Sequence, residues 1–480
     1  GRRIWRVGTL AYTRGGLVNV FFWLLWGDFC LTLMDNFVIG QVLPLQMKSV
    51  GASNAAIGFL SGTVMALMSA LLVSVVSTRS DRHRGRLGRR MPFLLWSTPP
   101  LALCLLLVGF SPRLAAWLGE ASPGVASWFT WLASSALPGS GTLPAATQLF
   151  LAILTVSMVA YKFFDLFPQS IYYYLWADVI PARLMATFAC CFRIVAAVAM
   201  FVANRYLLGW AATHPEALYI AAAVLYLLSF VAMSLIVKEG RYEPPPPPAS
   251  RQGGWFASVA QYCRECFTSA FYWKVFVMNG AFIIAVKSFV QFAPLFGTEG
   301  MGFEQQRYGE LISWKDLVTI LPFLLMGPLA DRFHPLRAGM VAYALVIVAG
   351  VSSFFLIRGE LSFAICMTAT FTAIAVYQAA TGAINPRLLP REQYGQFNSA
   401  GAVVWQLGWA LAAWLCGVFL DATGNYRYLF VWFVGFCLLG FIAMLLVYRD
   451  WKRLGGDQSY TPPLPLKRGP DGREIEATSA

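Results

Sequence analysis

The sequence predicts an all-α membrane protein of about twelve transmembrane helices, arranged as two pseudo-symmetric six-helix halves. Three observations lead there. The chain of 480 residues is 58% hydrophobic and only 12% charged, about half the charge of a soluble domain. Its apolar runs repeatedly reach the roughly 20 residues that cross a bilayer. Two short patterns also recur, once in each half. Runs this long and uniformly apolar are helices, because barrel strands are shorter and alternate in polarity.

The spans follow in order. The N-terminal half (17–238) places them near 17–45, 55–77, 91–111, 147–176, 186–209 and 217–238. The C-terminal half (272–448) places them near 272–297, 309–330, 337–357, 361–384, 398–420 and 427–448. Residues 1–16 precede the first span and carry Arg2, Arg3, Arg6 and Arg14; the apolar run behind them is too long for the core of a cleavable signal. The linker 239–271 holds EPPPPPAS (Glu243–Ser250), a stiff polyproline spacer, followed by a stretch that reads as an amphipathic surface helix. The tail 449–480 is polar and Pro/Gly-rich from about 455 and is expected to be disordered. A long loop, 112–146, carries Trp117, Trp128 and Trp131, which suit the membrane interface.

The repeat is short but ordered. Ser80-Asp81-Arg82 matches Ala330-Asp331-Arg332, and IPARLMATF (Ile180–Phe188) matches LPREQYGQF (Leu389–Phe397). The first pair is offset further than the second by about the length of loop 112–146, which only the first half has. Two related halves with one insertion explain both. Such halves, with a site between them near the midplane, are a transporter architecture.

Charge sets the orientation. The balance is 36 Lys+Arg against 23 Asp+Glu. In a soluble protein this would suggest nucleic acid; here alternate loops hold the basic residues, from Arg79–Arg90 through Arg183, Lys238, Arg332 and Arg337 to Arg387 and Arg449. Loops rich in Lys and Arg stay on the cytoplasmic side, so both termini are expected there, in a multi-pass protein of the cell (inner) membrane. The partner implied is the lipid bilayer and not nucleic acid. The nine cysteines give no disulfide framework, and the single Cys263-x-x-Cys266 pair has no second pair to complete a zinc site. No metal and no cofactor is expected.

The loop Ser77–Phe93, STRSDRHRGRLGRRMPF, carries the most specific pattern. It resembles the Gly-x-x-x-Asp-Arg-x-Gly-Arg-Arg loop that joins helices two and three in the major facilitator superfamily. Its longer form, S-D-R-H-R-G-R-L-G-R-R-M-P-F, resembles the glycoside–pentoside–hexuronide:cation symporters and the sucrose–proton symporters. Ser77 departs from the family's usual Gly. The resemblance implies the major facilitator fold and a cytoplasmic gating loop. In that loop Asp81 pairs with arginines or caps a helix end, Gly88 makes the turn, and Arg82, Arg89 and Arg90 clasp neighbouring helix ends, with Asp331 and Arg332 as counterparts. The bland alternative is that these residues only anchor the topology.

Charges inside spans cost roughly 2.5–3.5 kcal/mol each on insertion scales and need a reason. They are Asp28 and Asp35 on the first helix, Lys162 and Asp165 on the fourth, Arg193 on the fifth, Lys287 on the seventh, and Lys315 and Asp316 on the eighth. A polar cavity between the halves would use them to bind a proton or a solute. The resemblance to sucrose–proton symporters implies that Asp165 couples, with Arg193 as its partner, and the resemblance to the glycoside–pentoside–hexuronide:cation symporters implies that Asp28, in W-G-D-F, binds sugar. The alternatives are structural pairs: Lys162–Asp165, Arg193–Asp165 or Asp28–Lys287. Trp23 and Trp26, beside Asp28, are candidate platforms for a sugar. Tyr377, Trp405 and Trp409 join them, with Gln41, Asn279, Gln291, Gln378, Asn398 and Gln406 as hydrogen-bonding candidates. The second helix lacks the acids of sodium-coupled members, which favours protons over sodium.

The function expected is proton-coupled symport of a sugar or glycoside, with an exporter of amphiphiles, sodium coupling or uniport of another polar solute as alternatives. An enzyme is not expected: His83, His214 and His334 lie in loops or at helix ends, and no H-E-x-x-H, G-x-S-x-G or Walker pattern occurs. A sensor would need a longer cytoplasmic domain.

Overall fold

The computed structural model describes residues 5–7, 9–85, 87–240, 262–325, 334–390, 393–463, 467–468 and 474–475. Among the described residues, eleven helices are long and apolar enough to cross a membrane. In chain order these are α1 (Arg14–Ser49), α2 (Asn54–Val73, running on to Arg82), α3 (Met91–Gly109), α4 (Ala145–Val179), α5 (Thr187–Thr213), α6 (Pro215–Ile236), α7 (Ala270–Gly300), α9 (Pro335–Leu356), α10 (Glu360–Leu388), α11 (Tyr394–Thr423) and α12 (Tyr426–Arg453). Between α7 and α9 lies α8 (Gln305–Val318), which continues helical to the last described residue of that stretch, 325. The chain is a multi-pass membrane protein.

Local chemistry starts and stops these helices. Thr13 Oγ1 accepts from Gly16 N (3.2 Å) ahead of α1, and Ser53 Oγ accepts from Ala56 N (3.0 Å) ahead of α2, each satisfying an otherwise orphan amide. Proline stands in the first turn of α3, α6 and α9, where its missing N–H costs nothing. Gly424 ends α11 in the left-handed conformation at φ +61°. Four helices contain a π-helical stretch: Leu33–Val42 in α1, Phe59–Val64 in α2, Ala203–Leu207 in α5 and Phe296–Gly300 in α7. Such bulges tend to mark functional positions. Here they fall in the first-half helices that meet the second half, and in α7, which packs on α1.

The halves meet along two seams, α2 on α11 and α5 on α8. Glycine makes the first one close. A Cβ on Gly58 would lie 2.1 Å from the Ala413 carbonyl oxygen, and one on Gly417 2.1 Å from the Asn54 carbonyl oxygen. At the second seam, Gly309 faces the Asn204 carbonyl oxygen, again at 2.1 Å. Small residues at helix contacts replace the hydrophobic drive that lipid removes.

Several expectations are corrected. Asp81 and Arg82 belong to the last turn of α2, not to the loop. The stretch 112–146 is largely helical: Ser111–Ala121 and Pro123–Ala136 pack on α4, with Trp117, Trp128 and Trp131 exposed. The tail is docked through residue 463 rather than disordered from 455. Tyr460 Oη donates to the Leu388 carbonyl (2.8 Å), Tyr272 Oη to the Pro463 carbonyl (2.7 Å), and Arg337 pairs with Asp457 (2.5 Å). The polyproline run lies outside the described residues, as do Asp331 and Arg332; of the expected surface helix only 262–267 is described, and it is helical.

Candidate functional site

Contacts between the halves gather at the end of the bundle where α1 passes to α2 and α11 to α12. Asp421, at the end of α11, accepts from the backbone amides of Asn54 (3.0 Å) and Ala55 (2.8 Å) at the start of α2. Tyr426 Oη donates to Asn54 Oδ1 (2.7 Å). Arg205 on α5 pairs with Glu310 on α8 (2.9 Å), and Asn204 Nδ2 donates to Asp316 Oδ2 (2.8 Å).

At the other end, which carries the basic loop, strong contacts among the described residues lie within one half or the other. Arg89 pairs with Asp178 at the end of α4 (2.6 Å), and Arg90 bonds the same carboxylate and stacks on Tyr174 (5.2 Å). Asp81 lies 3.4 Å from Arg90. Glu239, just past α6, accepts from the backbone amides of Arg89 (3.0 Å), Arg90 (2.9 Å) and Met91 (2.8 Å). A carboxylate suits the positive start of α3. Gly88 has φ +105°, and a Cβ there would lie 2.7 Å from the Glu239 side chain, so the turn requires glycine. Arg82 is exposed. In the second half, Lys274 bonds Asp450, and Gln396 donates to Glu265 (2.6 Å).

A cavity of about 370 Å³ is walled by the second half and by Arg193 of the first, and reaches the turn between α10 and α11, on the basic-loop end. Arg193 and Phe323 wall one side, with the Arg193 guanidinium 5.0 Å from the Phe323 ring centre. Asn279, Tyr377, Gln378, Asn385, Asn398 and Trp405 supply amides and rings. Lys287 Nζ stands 5.2 Å from the Trp405 ring centre and 5.8 Å from that of Trp409.

The mid-membrane charges of the first half form a chain. Asp35, in the π-helical stretch of α1, accepts from Tyr161 Oη (3.2 Å) and from Gln169 Nε2 (2.8 Å). Lys162 Nζ donates to Gln169 Oε1 (2.9 Å) and to Asp165 Oδ2 (2.8 Å). Asp165 is 1% exposed, whereas Asp35 is half-buried. In the second half Lys315 pairs with Asp316 (2.5 Å).

The structure thus brings Asp35, Lys162 and Asp165 together and leaves other expected pairs unformed. Asp165 bonds Lys162, not Arg193. Asp28 is 1% exposed and acts on Arg193 through space, without an ion pair. Lys287 faces Asp35 and Lys162 electrostatically, not Asp28. Trp26 does not line the cavity: its Nε1 donates to Ser229 Oγ on α6 (2.9 Å) and its ring stacks on Phe29 (5.4 Å). Trp23 is half-buried, edge-on to Phe22 (5.5 Å). Gln169, Asp178, Glu239, Asn385 and Asp421 were not anticipated. Only the density of arginines at 79–90 hinted that an acid must face them.

This two-half, twelve-helix arrangement is the major facilitator fold. The chain matches no protein-family model and no curated protein by sequence. Solved structures do match over most of its length. A bacterial homologue of the human lysosomal transporter Spinster, inward-facing and occupied, aligns with TM-score 0.62 at 14% identity, covering 91% of this chain and 97% of that one. A bacterial homologue of the iron transporter ferroportin, inward-facing, aligns with TM-score 0.61 at 16% identity, over 90% and 99%. The xylose transporter XylE from E. coli, inward-open, aligns with TM-score 0.60 at 12% identity, over 90% and 96%.

Proposed function

We propose that this chain is a secondary transporter that moves a polar organic solute of sugar size together with a proton, by alternating access. One observation carries the reading. A cavity walled by the second half and by Arg193 of the first reaches one end of the bundle, contacts between the halves join the other end, and a hydrogen-bonded carboxylate chain stands at mid-membrane depth in the first half. Its volume of about 370 Å³ falls in the ordinary range for small-molecule sites. With both termini cytoplasmic, the state is inward-open and the protein sits in the cell membrane. The basic loop then works as a clasp that keeps α2, α3 and α4 moving as one body.

Asp35 is the coupling group in this reading. It is the half-buried end of the chain, while Asp165 is sealed and held by Lys162. A proton on Asp35 Oδ1 turns that oxygen into a donor and reverses the bond to Tyr161, whose hydroxyl can accept, while a proton on Oδ2 opposes the bond from the Gln169 amide, which can only donate there. Gln169 lies on α4 and also accepts from Lys162, so the change reaches α4 and runs along it to Asp165. Trp405 and Tyr377 offer faces to a sugar ring, and Asn279, Gln378, Asn385 and Asn398 offer donors and acceptors to its hydroxyls. The same amides argue against an exporter of amphiphiles. The absence of acids from the membrane-spanning part of α2, Asn54–Val73, favours protons over sodium.

The test is uptake of labelled mono- and disaccharides into proteoliposomes under an inward proton gradient. A gradient of one pH unit supports about tenfold accumulation at one proton per solute. Accumulation should collapse with a protonophore, and Asp35→Asn should exchange solute without accumulating it. Unchanged accumulation by that variant would remove Asp35 from coupling. Accumulation driven by sodium alone would overturn the proton.

A further inference from the structure

Eight charged side chains lie at mid-helix depth, and they divide unevenly. Lys162 and Lys315 are bonded to Asp165 and Asp316, and all four are buried. Of the remaining acids, Asp28 is withdrawn from solvent, and both oxygens of Asp35 already accept hydrogen bonds. The remaining cations behave differently. Arg193 and Lys287 are both exposed to solvent although they lie deep in the bundle. Among the described residues no carboxylate lies within ion-pairing distance of either; each rests on aromatic rings instead. Arg193 lines the cavity, and Lys287 stands on Trp405, which lines it too. The cavity is therefore lined by Arg193 and by no carboxylate, with Lys287 standing against its Trp405 wall.

An uncompensated cation at this depth needs a reason, and rings alone offset only part of the cost. We infer that the transported solute is a small organic anion, a carboxylate or phosphate on a hydroxylated frame, whose negative group binds between Lys287 and Arg193. This inference rests on the transporter reading above and deepens it. Asp35 then explains the order of events. The charged groups and phenols around it are Tyr161, Lys162, Asp165 and Tyr173 on α4, Lys287 on α7 and Tyr226 on α6, while Arg193 on α5 acts on Tyr173 and Asp28. While Asp35 is ionised, it is the nearest counter-charge for Lys287. When a proton neutralises it, the solute anion takes its place. One proton enters with one monoanion, a carboxylate or a phosphate monoester in its singly charged form, and the charge of the site is unchanged through the cycle.

The test reads the potential first and the ligand second. In detergent-purified full-length protein with Cys190, Cys191 and Cys263 changed to Ser, Gln378→Cys places a thiol at the cavity wall. Its rates with a negatively charged and a positively charged methanethiosulfonate are compared with those of a free thiol. The anionic reagent should be favoured by about tenfold or more. Lys287→Gln and, separately, Arg193→Gln should each lower that preference several-fold, and the second variant serves if the first does not fold. Preference for the cationic reagent would overturn the inference and leave transport standing. Failure of both reagents to reach the thiol would contradict the open cavity, and so the transporter reading itself. Gluconate and glucose 6-phosphate should then protect the thiol at concentrations at least about tenfold below sorbitol and glucose. Protection by the neutral pair alone, or by none of the four, would overturn the anion assignment.

Discussion

The two ends of the bundle are built on opposite rules. At the end near Asn54 and Asp421, contacts join one half to the other: backbone meets backbone at Gly58, Gly417 and Gly309, and Asp421 and Glu310 reach across. At the basic-loop end, among the described residues, Asp178 and Glu239 hold the first half to itself and Asp450 and Glu265 the second. The difference teaches how such a molecule can move. Contacts within a half keep it rigid in every state, whereas contacts between halves must break for the closed end to open. The joined end accordingly relies on close packing and on polar groups near solvent, such as exposed Asp421, which water can replace cheaply.

The largest expected effect comes from filling the joined seam. Gly58→Leu drives a side chain into the Ala413 backbone, so the halves cannot close there. Overpacking costs about 1–3 kcal/mol or more in a packed core, and uptake should fall at least tenfold while the basic-loop end stays intact. Thiol labelling of a cysteine introduced at Ser49 should become faster in the variant; unchanged labelling and uptake would show that the seam tolerates bulk.

Breaking the clasp comes next. Asp178→Asn leaves Arg89 and Arg90 without their shared carboxylate, and both members of the Arg90 pair are at least nine-tenths buried. Removing one partner of a buried pair costs about 3–5 kcal/mol. The melting temperature of the purified protein should drop by several degrees, and Arg89→Gln should lower it less, because Arg90 keeps the pair. No loss in either variant would mean that the loop acts only as a topology signal; equal losses would mean that Arg90 alone does not keep the pair.

The smallest effect is at the latch. Asp421→Asn keeps an acceptor for one amide of α2 but loses the charge that favours a helix start, worth about 0.3–1 kcal/mol. The population of the joined state should fall two- to fivefold, read as the fraction of short distances between spin labels at Ser49 and Ala422. No change would assign the joined end to packing alone.

How much of this was legible depends on what each residue shows by itself. The fold was legible because an apolar run of bilayer length permits little else, and because two motifs repeat. The mid-membrane charges were legible since any Asp or Lys in such a run stands out. Their pairing was legible only where it is local: Lys162 and Asp165 lie one turn apart, whereas the bond of Asp35 to Gln169 depends on how α1 and α4 are set against each other. The platform was misjudged for a similar reason. Trp23 and Trp26 sit near Asp28 in sequence, but α1 turns Trp26 toward Ser229, and Trp405 on α11 faces the cavity instead. Asp178, Glu239 and Asp421 stayed hidden because an acid at a helix end is ordinary at a membrane interface. The seam glycines were hidden too, since glycine is common in membrane helices and only the facing backbone makes it necessary.

The most direct test of the account measures both ends at once. Spin-label pairs at Ser49 and Ala422, and at Leu87 and Gly395, report the joined end and the basic-loop end in lipid nanodiscs. The account predicts that lowering the pH, which loads Asp35, shifts the two distances in opposite senses, the first lengthening as the second shortens, and that Asp35→Asn removes the response to pH. Distances that lengthen together, or a pH response that survives in Asp35→Asn, would contradict it.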